Sequence, residues 1–315
     1  MILNINWIRK RRAIKKMIEK LDNCVLCPHK CNVNRNKGEL GRCKMNGKIK
    51  IALYSLHKFE EPCISGKNGS GTIFFTGCNL SCLYCQNYKI SQEHIGTEIT
   101  VERLAEIFIE QQEKGAENIN LVTPTMYVYH IIEALDLARK KGLNIPIIYN
   151  SNGYENIETL KLLEGYIDVY LPDLKYAVDK IGKKYSKIDS YFEIATNAIR
   201  EMYRQVGAPE FNSQGIIQKG IIIRHLILPN NILNSKLILN WIKNNIDKNV
   251  YISLMAQYFP TYLAKSESSI ARKLNEREYN SIINYIEKIG LEKGYIQGLE
   301  ENEEQYVPDF DNGKY

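Results

Sequence analysis

The sequence predicts an α/β fold: an open, partial (β/α)6 barrel of TIM-like build, with a Cys-rich N-terminal extension and a helical C-terminal extension. Three features of the chain carry this expectation. Apolar β-runs and helical patterns alternate from Thr72 to Met255, and such alternation argues parallel strands joined by right-handed helical crossovers. The β-runs number six, short of the eight units of a closed barrel. A knot of cysteines follows the first β-run directly, where its thiols are expected to face the remaining strand ends. A doubly wound sheet is the second architecture that the alternation allows. We expect three segments: 1–70 for the N-terminal extension, 71–260 for the barrel and 261–315 for the C-terminal helix and tail.

Bulk properties set limits on function. At 315 residues, 44% of them apolar and 25% charged, the chain has the composition of an ordinary globular protein with a large core. A formal charge of +6 is mild, and its one basic run, Arg9 to Arg12, fits a solvated helix face. Nucleic acid, which wants a concentrated basic face, is not an expected partner. No run of about 18 apolar residues exists, so no membrane span is expected. No apolar stretch follows the N-terminal charges, so no signal peptide is expected either. A reducing cytoplasm is the expected setting, where eight cysteines suggest metal ligands rather than disulfides.

In order along the chain, Met1 to Asp22 has helical periodicity, with Ile14, Met17, Ile18 and Leu21 on one face. Next, Cys24, Cys27, Cys31 and Cys43 stand at C-x2-C-x3-C-x11-C, with Gly38 and Gly41 supplying turns. Four thiolates this dense can close a tetrahedral site for zinc or hold a second iron–sulfur cluster; four buried free thiols are the plainer alternative. His29 and His57 are alternative ligands, each more commonly an ordinary hydrogen-bonded histidine. Lys48 to Phe59 alternates like a strand through Ile49, Ile51 and Leu53. The loop EEPCISGKNGSG, rich in Gly and Ser, carries Cys63, a candidate redox thiol or extra ligand, although a lone cysteine is usually neither.

Gly71 to Ser91, GTIFFTGCNLSCLYCQNYKIS, joins the first β-run (Thr72 to Thr76) to a loop with Cys78, Cys82 and Cys85 at C-x3-C-x2-C. Three thiolates can hold three corners of an iron–sulfur cube. They leave one iron open for a substrate or cofactor, as catalytic zinc sites keep an open position. The later β-runs are Asn118 to Thr123, Ile145 to Tyr149, Ile167 to Leu171, Gly220 to Leu228 and Val250 to Met255. Helical patterns at Val101 to Lys114, Tyr127 to Lys141, Ile157 to Leu163, Tyr191 to Val206 and Leu233 to Ile246 separate them. A last helix, Glu276 to Ile289, is signalled by Asn275 as N-cap, Glu278 in a capping box and Gly290 as terminator. In the acidic tail from Glu300 to Tyr315, Tyr306, Val307 and Phe310 are expected to pin it to the body.

GCNLSCLYCQN resembles the cluster loop of radical S-adenosylmethionine (SAM) enzymes, C-x3-C-x-aromatic-C, with Tyr84 in the aromatic place. The resemblance implies a [4Fe-4S] cluster on Cys78, Cys82 and Cys85. It implies SAM on the open iron, cleaved reductively to a 5′-deoxyadenosyl radical, with an electron donor such as flavodoxin or ferredoxin. That chemistry belongs to the cofactors; the protein holds them and excludes water. More narrowly, the CxxCPHxC segment, EEPCISG, SGTIFFTGCN, YLPDLKY and IIIRHLILP resemble an uncharacterised branch similar to pyruvate formate-lyase-activating enzymes. Such activators abstract hydrogen from a backbone glycine of a partner enzyme, so a protein substrate is implied.

Carried onto matching positions, the resemblance implies SAM-binding roles for Tyr84, Ser151, Asn152, Asp173, Lys175 and Arg224. LVTPT stands where the family's Gly-Gly-Glu motif would be, leaving the hydroxyls of Thr123 and Thr125. Gln257 stands where a histidine is expected. Thr123 and Gln257 therefore complete the expected set. These departures, and four cysteines placed before the cluster loop rather than after it, keep other readings open. They are a radical enzyme acting on a small molecule or an RNA base, and a non-catalytic iron–sulfur or zinc protein.

Overall fold

A computed structural model describes residues 19–247, 249–299 and 310. The helical pattern expected from Met1 lies outside them up to Ile18, as do the Arg9 to Arg12 run, Tyr306 and Val307. Within them, Leu21 is fully buried in a 3-10 turn, Glu19–Asn23.

The strands are β1 (Ile49–His57), β2 (Ser70–Phe75), β3 (Thr97–Ile99), β4 (Ile119–Val122), β5 (Ile147–Ser151), β6 (Val169–Pro172), β7 (Glu210–Phe211), β8 (Ile217–Leu226), β9 (Tyr251–Met255) and β10 (Gly294–Ile296). They form one sheet in the order β10-β9-β8-β6-β5-β4-β2-β1-β3, with β7 beside β8. From β2 to β10 every neighbouring pair is parallel, and β1 and β3 add an antiparallel edge. The two ends, β3 and β10, do not pair, so the barrel stays open as expected. Six of the parallel strands are the six apolar runs. The seventh, β10, lies in the stretch assigned to the C-terminal extension. It is short, mostly exposed and opens on a glycine, so it carries no apolar run to find.

The helices are α1 (Val101–Glu113), α2 (Val128–Lys140), α3 (Ile157–Leu162), α4 (Asp179–Ser186), α5 (Tyr191–Val206), α6 (Ile232–Asn245) and α7 (Glu276–Ile289). All but α4 correspond to the periodic segments of the sequence. α4 spans only eight residues and carries Gly182 in its interior, so it offers too short a pattern to find. The capping box at Asn275 and the left-handed Gly290 that closes α7 are both present.

Strand alternation divides the residues of the sheet between two faces. Ile147, Tyr149, Tyr170, Ile221 and Ile223 join the helices in the main core. Ile148, Val169, Leu171 and Ile222 face the other way and meet Cys63 and Ile64. The β1–β2 loop thus sends a single helical turn, Pro62–Ser65, onto the inner face of the barrel and fills it with its own side chains. Phe310 packs edge-on against Phe74 at 5.5 Å, as expected of that residue.

Candidate functional site

The cysteine loop begins where β2 ends. Gly77 takes φ +87°, and a Cβ there would run into the Met45 side chain and the Cys43 carbonyl, so only glycine lets the chain turn so tightly. Cys82 is buried, and Cys78 and Cys85 are partly so. Each sulfur has donors facing it. Cys78 accepts from the Asn152 amide and the Leu80 backbone N–H, both at 3.4 Å. Cys82 accepts from the Ser186 hydroxyl at 2.9 Å. Cys85 lies 3.2 Å from the Ser91 hydroxyl.

All three thiols are pushed above the ordinary thiol range. Burial is the main cause; Cys82 then adds to Cys78 and Cys85 by like-charge repulsion. Lys175 pulls Cys82 and Cys85 back. Thiols that are costly to ionise alone, yet surrounded by donors that favour thiolate, fit a group that brings positive charge between them. Among the described residues no three His, Cys, Asp or Glu side chains converge as single-ion ligands.

A polar chain runs back from Cys82 through Ser186. Tyr84 and Tyr176 share a hydrogen bond of 2.6 Å, and Tyr176 and Ser186 another of 2.6 Å. The Tyr84 hydroxyl is therefore committed to the protein. Asp173 and Lys175, at the end of β6, form an ion pair. Burial opposes the Lys175 charge, but Asp173 and then Cys82 outweigh it and hold its pKa above the usual lysine value. His225 bonds the Leu174 carbonyl at 2.7 Å and Ser235 at 2.8 Å, which fixes the backbone between that pair. Gly153, at φ +77°, packs so closely on the Asp173 carbonyl that a side chain is excluded.

The structure gathers Cys78, Cys82, Cys85, Asn152, Asp173 and Lys175 at the C-terminal ends of β2, β5 and β6. Gln257 joins them beyond β9, its carbonyl 3.5 Å from the Gln86 amide of the cysteine loop. Thr123 follows β4 at the same end of the sheet, with φ +58°, an unfavourable conformation for a β-branched residue. Two expected residues are engaged by other side chains of the protein. Ser151 shares the face of Tyr149 and hydrogen-bonds the buried carboxyl of Glu155. Arg224 lies on the inner face, clamped by Glu60 and Glu61 of the β1–β2 loop. Sequence reasoning missed Ser91, Ser186, Tyr176 and Glu155. Ser91 reaches Cys85 from six residues along the chain, Ser186 and Tyr176 come in through tertiary packing, and Glu155 lies behind the site on Ser151; no local pattern marks any of them.

The N-terminal cysteines lie alongside. Cys24 and Cys43 are buried, and Cys27 and Cys31 are partly so. Neither candidate histidine turns towards them. His29 bonds the Asn79 carbonyl at 2.8 Å, and His57 packs on Phe59 and Phe74. Cys63 is enclosed under the barrel, where burial raises its pKa to about 11.

Comparison with known proteins agrees with this geometry. Residues 72–216 match the model of the Radical SAM superfamily. An uncharacterised protein of Methanocaldococcus jannaschii is 34% identical over 303 residues, covering 92% of this chain and 81% of the relative. A protein of the same organism, provisionally named a glycyl-radical enzyme activating enzyme, is 35% identical over 116 residues. That match covers 36% of this chain and 46% of the relative. Among solved structures, the [FeFe]-hydrogenase maturase HydG superposes with a TM-score of 0.51 at 13% identity, over 73% of this chain and 52% of its own; it supports the fold alone. The chain belongs to the radical SAM superfamily. Membership implies a [4Fe-4S] cluster and SAM as cofactors. Among the described residues, no helix is long and apolar enough to cross a membrane.

Proposed function

We propose that this chain is a radical SAM enzyme that abstracts hydrogen from a protein glycine, in the manner of a glycyl-radical enzyme activase. The observation that carries the radical reading is the set of three thiols after β2, each facing hydrogen-bond donors. Cys78, Cys82 and Cys85 would hold a [4Fe-4S] cluster, which would supply the electron for reductive cleavage of SAM. The protein does the rest. Asn152, Ser186 and Ser91 donate to the sulfurs and stabilise their ionised form. Lys175 adds a positive charge beside Cys82 and Cys85 while Asp173 holds it in place. Thr123, Asn152, Asp173, Lys175 and Gln257 offer polar atoms to SAM at the strand ends. Tyr84, Ser151 and Arg224 position these groups from behind and below. An electron donor of the flavodoxin or ferredoxin class supplies the reducing equivalent.

The glycine target is supported by the provisionally named relative. The test is anaerobic. The chain is reconstituted with iron and sulfide, reduced and given SAM, and 5′-deoxyadenosine is measured. We expect product from the wild type and none from Cys82→Ala. Absence of product, with no change in the EPR spectrum when SAM is added, would overturn the radical reading. A glycyl EPR doublet on a co-incubated partner tests the target separately.

A further inference from the structure

We propose that Cys24, Cys27, Cys31 and Cys43 ligate a second metal centre, a four-thiolate site distinct from the Cys78–Cys85 loop. A buried charge carries the inference further than the spacing does. Arg35 is only 1% exposed, and a guanidinium stays protonated inside proteins. Its partners are the carbonyls of Met45, Asn46 and Met126 and, at 3.9 Å, the Cys24 sulfur. Among the described residues no carboxylate hydrogen-bonds it. A buried cation without an anion is costly enough that proteins rarely keep one. The groups within its reach that could carry a negative charge are the sulfurs of Cys24 and Cys43, both buried. Four neighbouring sulfurs beside a buried cation form a donor set for a metal ion or cluster, which would ionise them on binding and so supply the missing negative charge.

The backbone is arranged for the same state. The amide of Arg42 points at the Cys31 sulfur at 3.3 Å, that of His29 at Cys27, and that of Met45 at Cys43. Lys30, Asn32 and Lys44, shortly after Cys27, Cys31 and Cys43, take left-handed conformations that turn the chain around the sulfurs. Gly41 lies so close to Cys31 that a Cβ would stand 3.0 Å from its sulfur. Among the described residues these thiols do not converge as single-ion ligands, so the proposal requires binding to draw them together.

The location gives the centre a consequence. His29 holds the Asn79 carbonyl, and Met45 packs on Gly77, so the segment braces both sides of Cys78. Zinc and an iron–sulfur cluster share the tetrathiolate chemistry, and the experiment separates them. Zinc, iron and sulfide are counted per chain in the full-length protein purified without oxygen. They are counted again in the Cys78→Ala/Cys82→Ala/Cys85→Ala variant and in Cys27→Ser/Cys31→Ser. We expect the first variant to keep one equivalent of zinc, or a cluster's worth of iron and sulfide, and the second to lose that component alone. Retained zinc marks a single-ion site, and retained iron with sulfide marks a second cluster. The proposal does not rest on the radical chemistry, because the first variant lacks that site altogether. If a variant fails to fold, the unaltered chain decides. Zinc-free protein with iron sufficient for only one cluster, and with Cys27 and Cys31 readily alkylated, would overturn the proposal.

Discussion

The Glu155 carboxyl is buried at 1% exposure and accepts from Thr125 at 2.6 Å and Tyr149 at 3.4 Å. Burial, only partly offset by those bonds, raises its pKa to about 7 from 4.5. Because the folded value lies above the unfolded one, its contribution to stability is fully present below about pH 4.5 and is lost as pH rises through about 7. The change amounts to roughly 3 kcal/mol. Glu155→Gln stays neutral throughout, so relative to the wild type it gains by that order between mildly acidic and mildly alkaline buffer. Urea unfolding at the two ends of the range measures it, and a pH-independent difference would show that Glu155 ionises freely.

Among the elements, the single turn at Pro62–Ser65 and its acidic entry are the least expected part of the barrel. The sequence reads Glu60 and Glu61 as part of a Gly/Ser-rich loop. They instead meet Arg224 on the inner face, with Cys63 and Ile64 packed beneath the strands. Burial opposes the Glu61 charge, but Arg224 outweighs it and holds the carboxyl below the usual carboxylate range. Removing the cation leaves two largely buried carboxylates with only neutral donors, Asn120 for Glu60 and Ser253 for Glu61. Arg224→Met should therefore cost about 3–5 kcal/mol in denaturant unfolding, and Arg224→Met/Glu61→Gln should recover part of the loss. A cost within about 1 kcal/mol would mean that the trio is solvated like a surface pair.

Across the protein as one body, the sheet runs without a break from β3 to β10, so the segment before residue 71 is built into it. β2 is buried along its full length, and β1 covers one of its edges. A chain starting at residue 71 would expose that edge, the geometry that invites strand pairing between molecules. We expect such a truncation to aggregate, scored by soluble yield and sedimentation. A folded, monomeric product would instead make the N-terminal extension a separable unit.

The six parallel strands, the open barrel and the three thiols after the first strand were legible in the chain alone. Apolar runs and cysteine spacing are local properties, and local properties survive in a one-dimensional pattern. The capped final helix was legible for the same reason. Folding was needed to bring Ser186 and Asn152 to the sulfurs and to commit the Tyr84 hydroxyl to Tyr176. It set Arg224 against Glu61 and Glu60, across 163 and 164 residues of chain. It also turned Ser151 towards Glu155 and placed Arg35 beside Cys24. Most of these partners are far apart in sequence. Their pairing is set by how layers pack, and burial is what makes each pairing obligatory.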